Sequence, residues 1–147
     1  YMENELQREE LYSKMQDNTP IFIFIPNLSE FIKAIYKPEA GVGKMSGFME
    51  NIIEKGELHN IYFIASLDME ESAAVSVYKT YKLFTGYKNG VHLGGNTASQ
   101  RIFDFRNIPY TEAGKPLKKG YGWAVTGEDM DEASRIVIPM YTKGESV

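Results

Sequence analysis

The stretch AGVGKMSG, residues 40–47, is the first place where residue types suggest chemistry. A phosphate-cradling loop needs a glycine, four further residues, then Gly-Lys and a serine or threonine. Backbone N–H groups and the lysine then surround phosphate oxygens while the hydroxyl meets magnesium. Gly43-Lys44 supplies the centre of that pattern, but Pro38 stands where the first glycine belongs and Met45 where the hydroxyl belongs. The segment also joins two helical patterns, whereas a phosphate loop follows a strand. A helix–helix connection is the favoured reading.

HLGGN, His92 to Asn96, is the second candidate. Two glycines after a strand can bring backbone N–H groups close to an anion, beyond the strand end where α/β ligands usually sit. A plain tight turn is the favoured reading, with the anion site kept as a binding hypothesis. His59 and His92 are the two histidines of the chain, and neither has neighbours at metal-ligand spacing. Asp68, Glu70 and Glu71 follow one apolar run, and Glu128, Asp129, Asp131 and Glu132 follow another. Carboxylates at helix starts usually complement the helix dipole, which is the reading adopted for both groups. KPLKKGYGW, residues 115–123, sets Lys115, Lys118 and Lys119 beside Tyr121 and Trp123. Basic residues interleaved with aromatics can hold a single strand of nucleic acid, but in an acidic domain a solvated loop is favoured.

The elements that carry these residues follow from periodicity. Residues 2–16, MENELQREELYSKMQ, read as a helix with a wet face, ended by Asp17, Asn18 and Pro20. Ile21 to Ile25 form an unbroken apolar run, which predicts a strand buried on both faces of a parallel sheet. Leu28, Phe31, Ile32, Ile35 and Tyr36 switch to helical spacing, with Asn27 placed as N-cap and Glu30 as its capping-box partner. A loop over 37–44 precedes a second helix through Met45, Phe48, Met49, Ile52 and Ile53, stopped by Gly56. NIYFIAS, residues 60–66, reads as another buried strand, and 70–84 as one helix. GVHLGG, YGWAV and RIVIP predict further short strands. Strand, helices, strand, helix is the order of a doubly wound α/β sheet.

Composition bounds the rest. The 147 residues are 43% hydrophobic and 24% charged, which suits one ordinary packed domain. The net charge of −4 argues against a phosphate-neutralising surface, so no nucleic acid is expected. Without cysteine there is no thiolate chemistry. No apolar run has the length that spans a bilayer and no signal-peptide pattern opens the chain. With Tyr1 first, the chain reads as a piece of something longer.

In order and spacing, several stretches resemble the C-terminal module of FtsK/SpoIIIE-type ATPases. More narrowly, they resemble the last module of the EssC/YukB-like membrane ATPases of firmicute type VII secretion systems. PIFIFIPNLSEF stands at the Walker B strand and HNIYFIAS at the following core strand. GVHLGGNTASQRIFDF, KPLKKGYGWAV and RIVIP follow in the family's order, so the likeness spans most of 19–139. It implies a RecA-like P-loop NTPase sheet with flanking helices. That sheet is incomplete, because the phosphate-loop half precedes this chain, and residues 1–147 form one partial domain.

The departures from the family carry the functional expectation. Pro26 and Asn27 replace the Walker B acids, which would order magnesium and polarise water. Leu67 stands near the sensor glutamine's place, and Ser99-Gln100, with Arg101 one residue later, replaces the Ser-Arg pair. The resemblance therefore implies a degenerate module that binds substrates or regulates active modules and does not hydrolyse ATP. ATP and magnesium belong to the parent protein, and no cofactor is expected on this chain. Pro26 and Asn27 mark the degenerate nucleotide position, and Gly94, Gly95, Asn96 and Arg101 are candidate ligand or interface contacts. Implied partners are other ATPase modules of the same protein, small secreted helical hairpins and a second copy. The implied location is a cytoplasmic domain of a membrane-anchored bacterial protein. An active DNA translocase or nucleotidase of the same superfamily is the alternative, and an unrelated α/β domain a third reading.

Overall fold

The structure is a computed structural model that describes residues 19–38, 44–126 and 133–139. The expected helix over 2–16, most of the 37–44 loop, and the acids Glu128, Asp129, Asp131 and Glu132 lie outside the described residues. The chain divides into two compact units, Tyr1–Phe84 and Thr85–Val147.

In the first unit, β1 (Ile21–Ile25) pairs in parallel with β2 (Ile61–Ala65), in register from Ile21 opposite Ile61 to Ile25 opposite Ala65. A parallel pair needs a long crossover, here supplied by α1 (Leu28–Ile35), α2 (Lys44–Lys55) and a 3-10 turn over Gly56–His59. Gly56, expected as a helix stop, opens that turn, and exposed His59 ends it. Helix α1 begins as the sequence predicts, with the Asn27 side chain accepting from the Glu30 N–H at 2.9 Å. The capping box is half made, because the Glu30 carboxylate binds Lys33 instead, at 2.8 Å. Ile25, Leu28, Ile32 and Val75 form the core, flanked by Ile23, Phe31, Phe63, Tyr78 and Phe84.

Two expectations change here. The strand is covered on one face, and there only toward its end: Ile25 is buried, Ile23 partly buried and Ile21 54% exposed, while on the other face Phe22 is 56% and Phe24 69% exposed. Tyr62 stacks on Phe22 at 5.4 Å, and Ile64 lies exposed further along β2. An unbroken apolar run signals a strand but does not report how many layers cover it. The helix expected over 70–84 is two helices, α3 (Met69–Val75) and α4 (Lys79–Gly86). The Ser76 hydroxyl bonds back to the Ala73 carbonyl at 3.0 Å, and the Tyr78 N–H reaches Val75 O, a three-residue spacing that tightens the chain. Such local bonds compete with the α-helical ladder.

The second unit holds β3 (Gly90–Leu93), β4 (Tyr121–Val125) and β5 (Ala133–Val137), antiparallel in the order β3-β4-β5. Helix α5 (Tyr110–Ala113) is a single turn. The strands at GVHLGG, YGWAV and RIVIP are thus present, but in a separate sheet, so the described residues do not form one doubly wound sheet. The chain is mixed α/β, with a small parallel sheet and an antiparallel one. Gly122 permits close strand approach: a Cβ there would lie 2.7 Å from the His92 carbonyl and 2.6 Å from Leu93. Ile108, Val125 and Ala133 are the buried centre, with Phe103, Phe105 and Trp123 around them.

Two amides fix the segment that covers this sheet. The Gln100 side chain accepts from the N–H groups of Ile102 (2.8 Å) and Phe103 (2.7 Å) and donates to Phe103 O (2.8 Å). The Asn107 side chain donates to Ala133 O at 2.9 Å and accepts from Ala133 N–H at 3.0 Å. It presents to β5 the donor and acceptor that a neighbouring peptide group would.

Candidate functional site

In a parallel sheet with crossover helices, ligands meet the protein at the carboxyl ends of the strands. Here that crest is formed by Pro26 and Asn27 after β1 and by Ser66 to Asp68 after β2. Ser66 ties the two strand ends together. Its N–H donates to Ile25 O at 3.0 Å, its carbonyl accepts from Leu28 N–H at 2.9 Å, and its hydroxyl donates to Pro26 O. Asn27 Oδ1 holds the Glu30 N–H, and Asn27 O accepts from Phe31 N–H at 3.1 Å. Across the crest, Asp68 Oδ1 caps α3 by accepting from Glu70 N–H at 3.0 Å.

These bonds determine what the crest can do. A helix N-terminus binds phosphate through N–H groups left without intrahelical partners. At α1, the Leu28 and Glu30 donors are already held by protein oxygens. At α3, Asp68 supplies a negative charge that a phosphate would have to face. Beneath the crest, two buried oxygens have no hydrogen-bond partner, Ser29 Oγ and Glu71 Oε2.

The second predicted cluster lies in the other unit. Gly94 and Gly95 have φ of +67° and +55°, the left-handed region that glycine enters freely. The Gly95 carbonyl is taken by Leu117 N–H at 2.7 Å, and Asn96 Oδ1 by Ser99 N–H at 2.8 Å. The turn therefore fastens two loops. Arg101 is exposed, next to the buried Gln100. The structure joins Gly94, Gly95 and Asn96 in one turn, while Pro26 and Asn27 belong to the first unit. His92 sits on β3, buried, its ring 5.9 Å from Phe105. Burial pushes its imidazole below the ordinary 6.5, opposed by a hydrogen bond to the Gly94 backbone. Its Nε2 has no hydrogen-bond partner.

The aromatic–basic stretch also resolves. Arg135 lies over the rings of Tyr121 (5.5 Å) and Trp123 (5.9 Å), while Lys115, Lys118 and Lys119 are exposed. Among the described residues, no group of three or more His, Asp or Glu is arranged to hold a metal ion.

Sequence reasoning missed one polar cluster between helices. The Tyr36 hydroxyl donates to Glu50 Oε1, Thr80 Oγ1 reaches the same oxygen at 3.5 Å, and Lys79 Nζ lies 3.9 Å from Oε2. Lys79 also pairs with Glu54 at 3.3 Å. Burial, together with the Glu50 bond, raises the Tyr36 phenol above its ordinary range, so it is held as a donor. These residues come from α2, α4 and the end of α1, and no local spacing announces the meeting.

The chain matches no family model, no curated protein and no solved structure in comparisons with known proteins.

Proposed function

We propose that this chain is a degenerate ATPase module of an FtsK/SpoIIIE-type secretion motor, kept for binding rather than hydrolysis. The observation that carries this reading is the crest after β1. Asn27 spends its side chain on the Glu30 amide, and Leu28 spends its amide on Ser66. The position where acids would order magnesium and water in a working site is spent here on structural bonds. The RecA-like origin of the sheet rests on the resemblance together with the parallel β1–β2 pair and its crossover helices.

In this reading the partners are other ATPase modules of the parent protein and small secreted helical hairpins. The exposed apolar residues Phe22, Phe24 and Ile64 support a binding role. The parent is a membrane-anchored bacterial ATPase that holds this domain on the cytoplasmic side. Among the described residues, no helix is long and apolar enough to cross a membrane.

Two measurements test the reading. ATP with magnesium is titrated onto the chain, and turnover is followed for the parent sequence and for Asn27→Ala. No turnover is expected; turnover abolished by Asn27→Ala would establish the active nucleotidase reading instead. A pull-down with the secreted hairpins then asks for enrichment over an unrelated helical hairpin. Equal recovery of both would remove the substrate-binding role.

A further inference from the structure

Asn89 and Gly90 stand side by side where the short link after α4 enters β3. We propose that this pair is a self-modification site, at which the folded chain loses the Asn89 side-chain amide and gains an isoaspartyl or aspartyl residue. The inference is independent of the secretion reading, since it uses only the link and the strand it enters.

The chemistry needs no other residue. The Gly90 amide nitrogen gives its proton to hydroxide from solvent and attacks Asn89 Cγ. The bond from Cγ to Nδ2 breaks, and ammonia leaves with a proton taken from water, which restores the hydroxide. The product is a five-membered succinimide, in which the Gly90 nitrogen joins both carbonyl carbons of residue 89. Water then opens the ring. Cleavage at Cγ leaves aspartate. Cleavage at the main-chain carbonyl leaves isoaspartate, whose chain continues through Cγ. In sum, the side-chain amide and water give a carboxylic acid and ammonia, with no electron transferred.

Sequence and structure single out this asparagine. Of the eight asparagines, Asn89 alone precedes glycine. The others precede glutamate, threonine, leucine or isoleucine, whose side chains crowd the attacking nitrogen and restrict its backbone. No aspartate precedes glycine, so the same ring has no second easy origin. Hydrogen bonds hold the side chains of Asn27, Asn96 and Asn107. Asn89 is exposed, and among the described residues no hydrogen bond holds its side chain. Lys88 before it has φ of +51°, so the ring would close in a turn and not within a regular ladder. The fold also favours glycine at the next position: a Cβ on residue 90 would lie 2.9 Å from Phe103 Cζ.

The location gives the change a consequence. β3 starts at Gly90, which pairs with Val125, a fully buried residue of the second unit's core. Isoaspartate inserts one extra main-chain carbon directly before this pair and adds one negative charge to the net −4. Aspartate adds the charge alone.

The test follows the whole chain in mildly alkaline buffer, folded and in urea, with ion-exchange chromatography to separate acidic species and peptide mapping to assign them. Opening an exposed link costs little free energy, so the folded chain should convert at Asn89 within about tenfold of its rate in urea. Hydroxylamine, which cleaves the succinimide, should cut the folded chain into residues 1–89 and 90–147. Asn89→Gln, whose longer side chain closes a six-membered ring far more slowly, should remove both the cut and the early acidic species. The isolated isoaspartyl form should unfold at lower urea than Asn89→Asp, which has the same charge without the extra carbon. A folded rate more than about tenfold below that in urea, first conversion at another asparagine, or a folded chain left intact by hydroxylamine would each overturn the proposal. Equal urea midpoints would overturn the effect on β3.

Discussion

Asn27 precedes a helical pattern and has Glu30 three residues on, a spacing that predicts a cap. The Glu30 N–H is where its side chain goes. Replacing Asn27 with alanine should cost about 1 kcal/mol of unfolding free energy, measured by urea denaturation, while serine or aspartate should retain most of it. His92 was legible only as a histidine. Its burial depends on Phe105 and on a sheet register that no local pattern encodes. Because its folded imidazole holds a proton less readily than an unfolded one, unfolding takes up a proton below about pH 6.5. Stability is therefore full above that value and falls as the pH drops through it toward the depressed folded value. The urea midpoint of the parent chain should decline between pH 7 and pH 5.5, and His92→Gln should flatten that decline.

At the scale of elements, the apolar runs gave the strands and the 3.6-residue spacing gave α1 and α2. The strands' partners were not legible, since pairing depends on contacts far apart in sequence. Among the described residues the run at 21–25 pairs with β2, while YGWAV, as β4, pairs with β3 and β5. Gly122 is one determinant of that pairing. Gly122→Ala places a Cβ against the His92 carbonyl, a backbone atom that moves only with its strand. We expect about 1–3 kcal/mol of destabilisation, visible as a lower thermal midpoint. The split between α3 and α4 was hidden because Ser76, Val77 and Tyr78 do not break helical periodicity; it rests on a local hydroxyl bond. The polar contact of Tyr36, Glu50 and Thr80 is equally non-local. Tyr36→Phe should destabilise the first unit by about 1–2 kcal/mol, because Glu50 loses a donor in a half-buried place.

For the whole molecule, composition correctly indicated packed structure but could not show where apolar surface stays uncovered. Phe22, Phe24, Val91 and Leu93 are all exposed. With a pI near 5.3, repulsion between copies is weakest near that pH. Light scattering at constant concentration should therefore be greatest at about pH 5.3, and Phe24→Lys should reduce it more than a lysine placed at exposed Asn51. Equal effects from both variants would assign the scattering to net charge alone.

The Asn107–Ala133 amide pair has a mechanical consequence. In an antiparallel sheet, a terminal strand loaded from one end can unzip one residue at a time. Here β5 is also fastened at Ala133, its first residue, to a side chain 26 positions earlier in the chain. Force applied through the residues after β5 would peel Val137 first and reach this fastening last. The strand should therefore peel gradually as far as this fastening, which yields as a last and separate step. Asn107→Ala should remove that last step in single-molecule pulling.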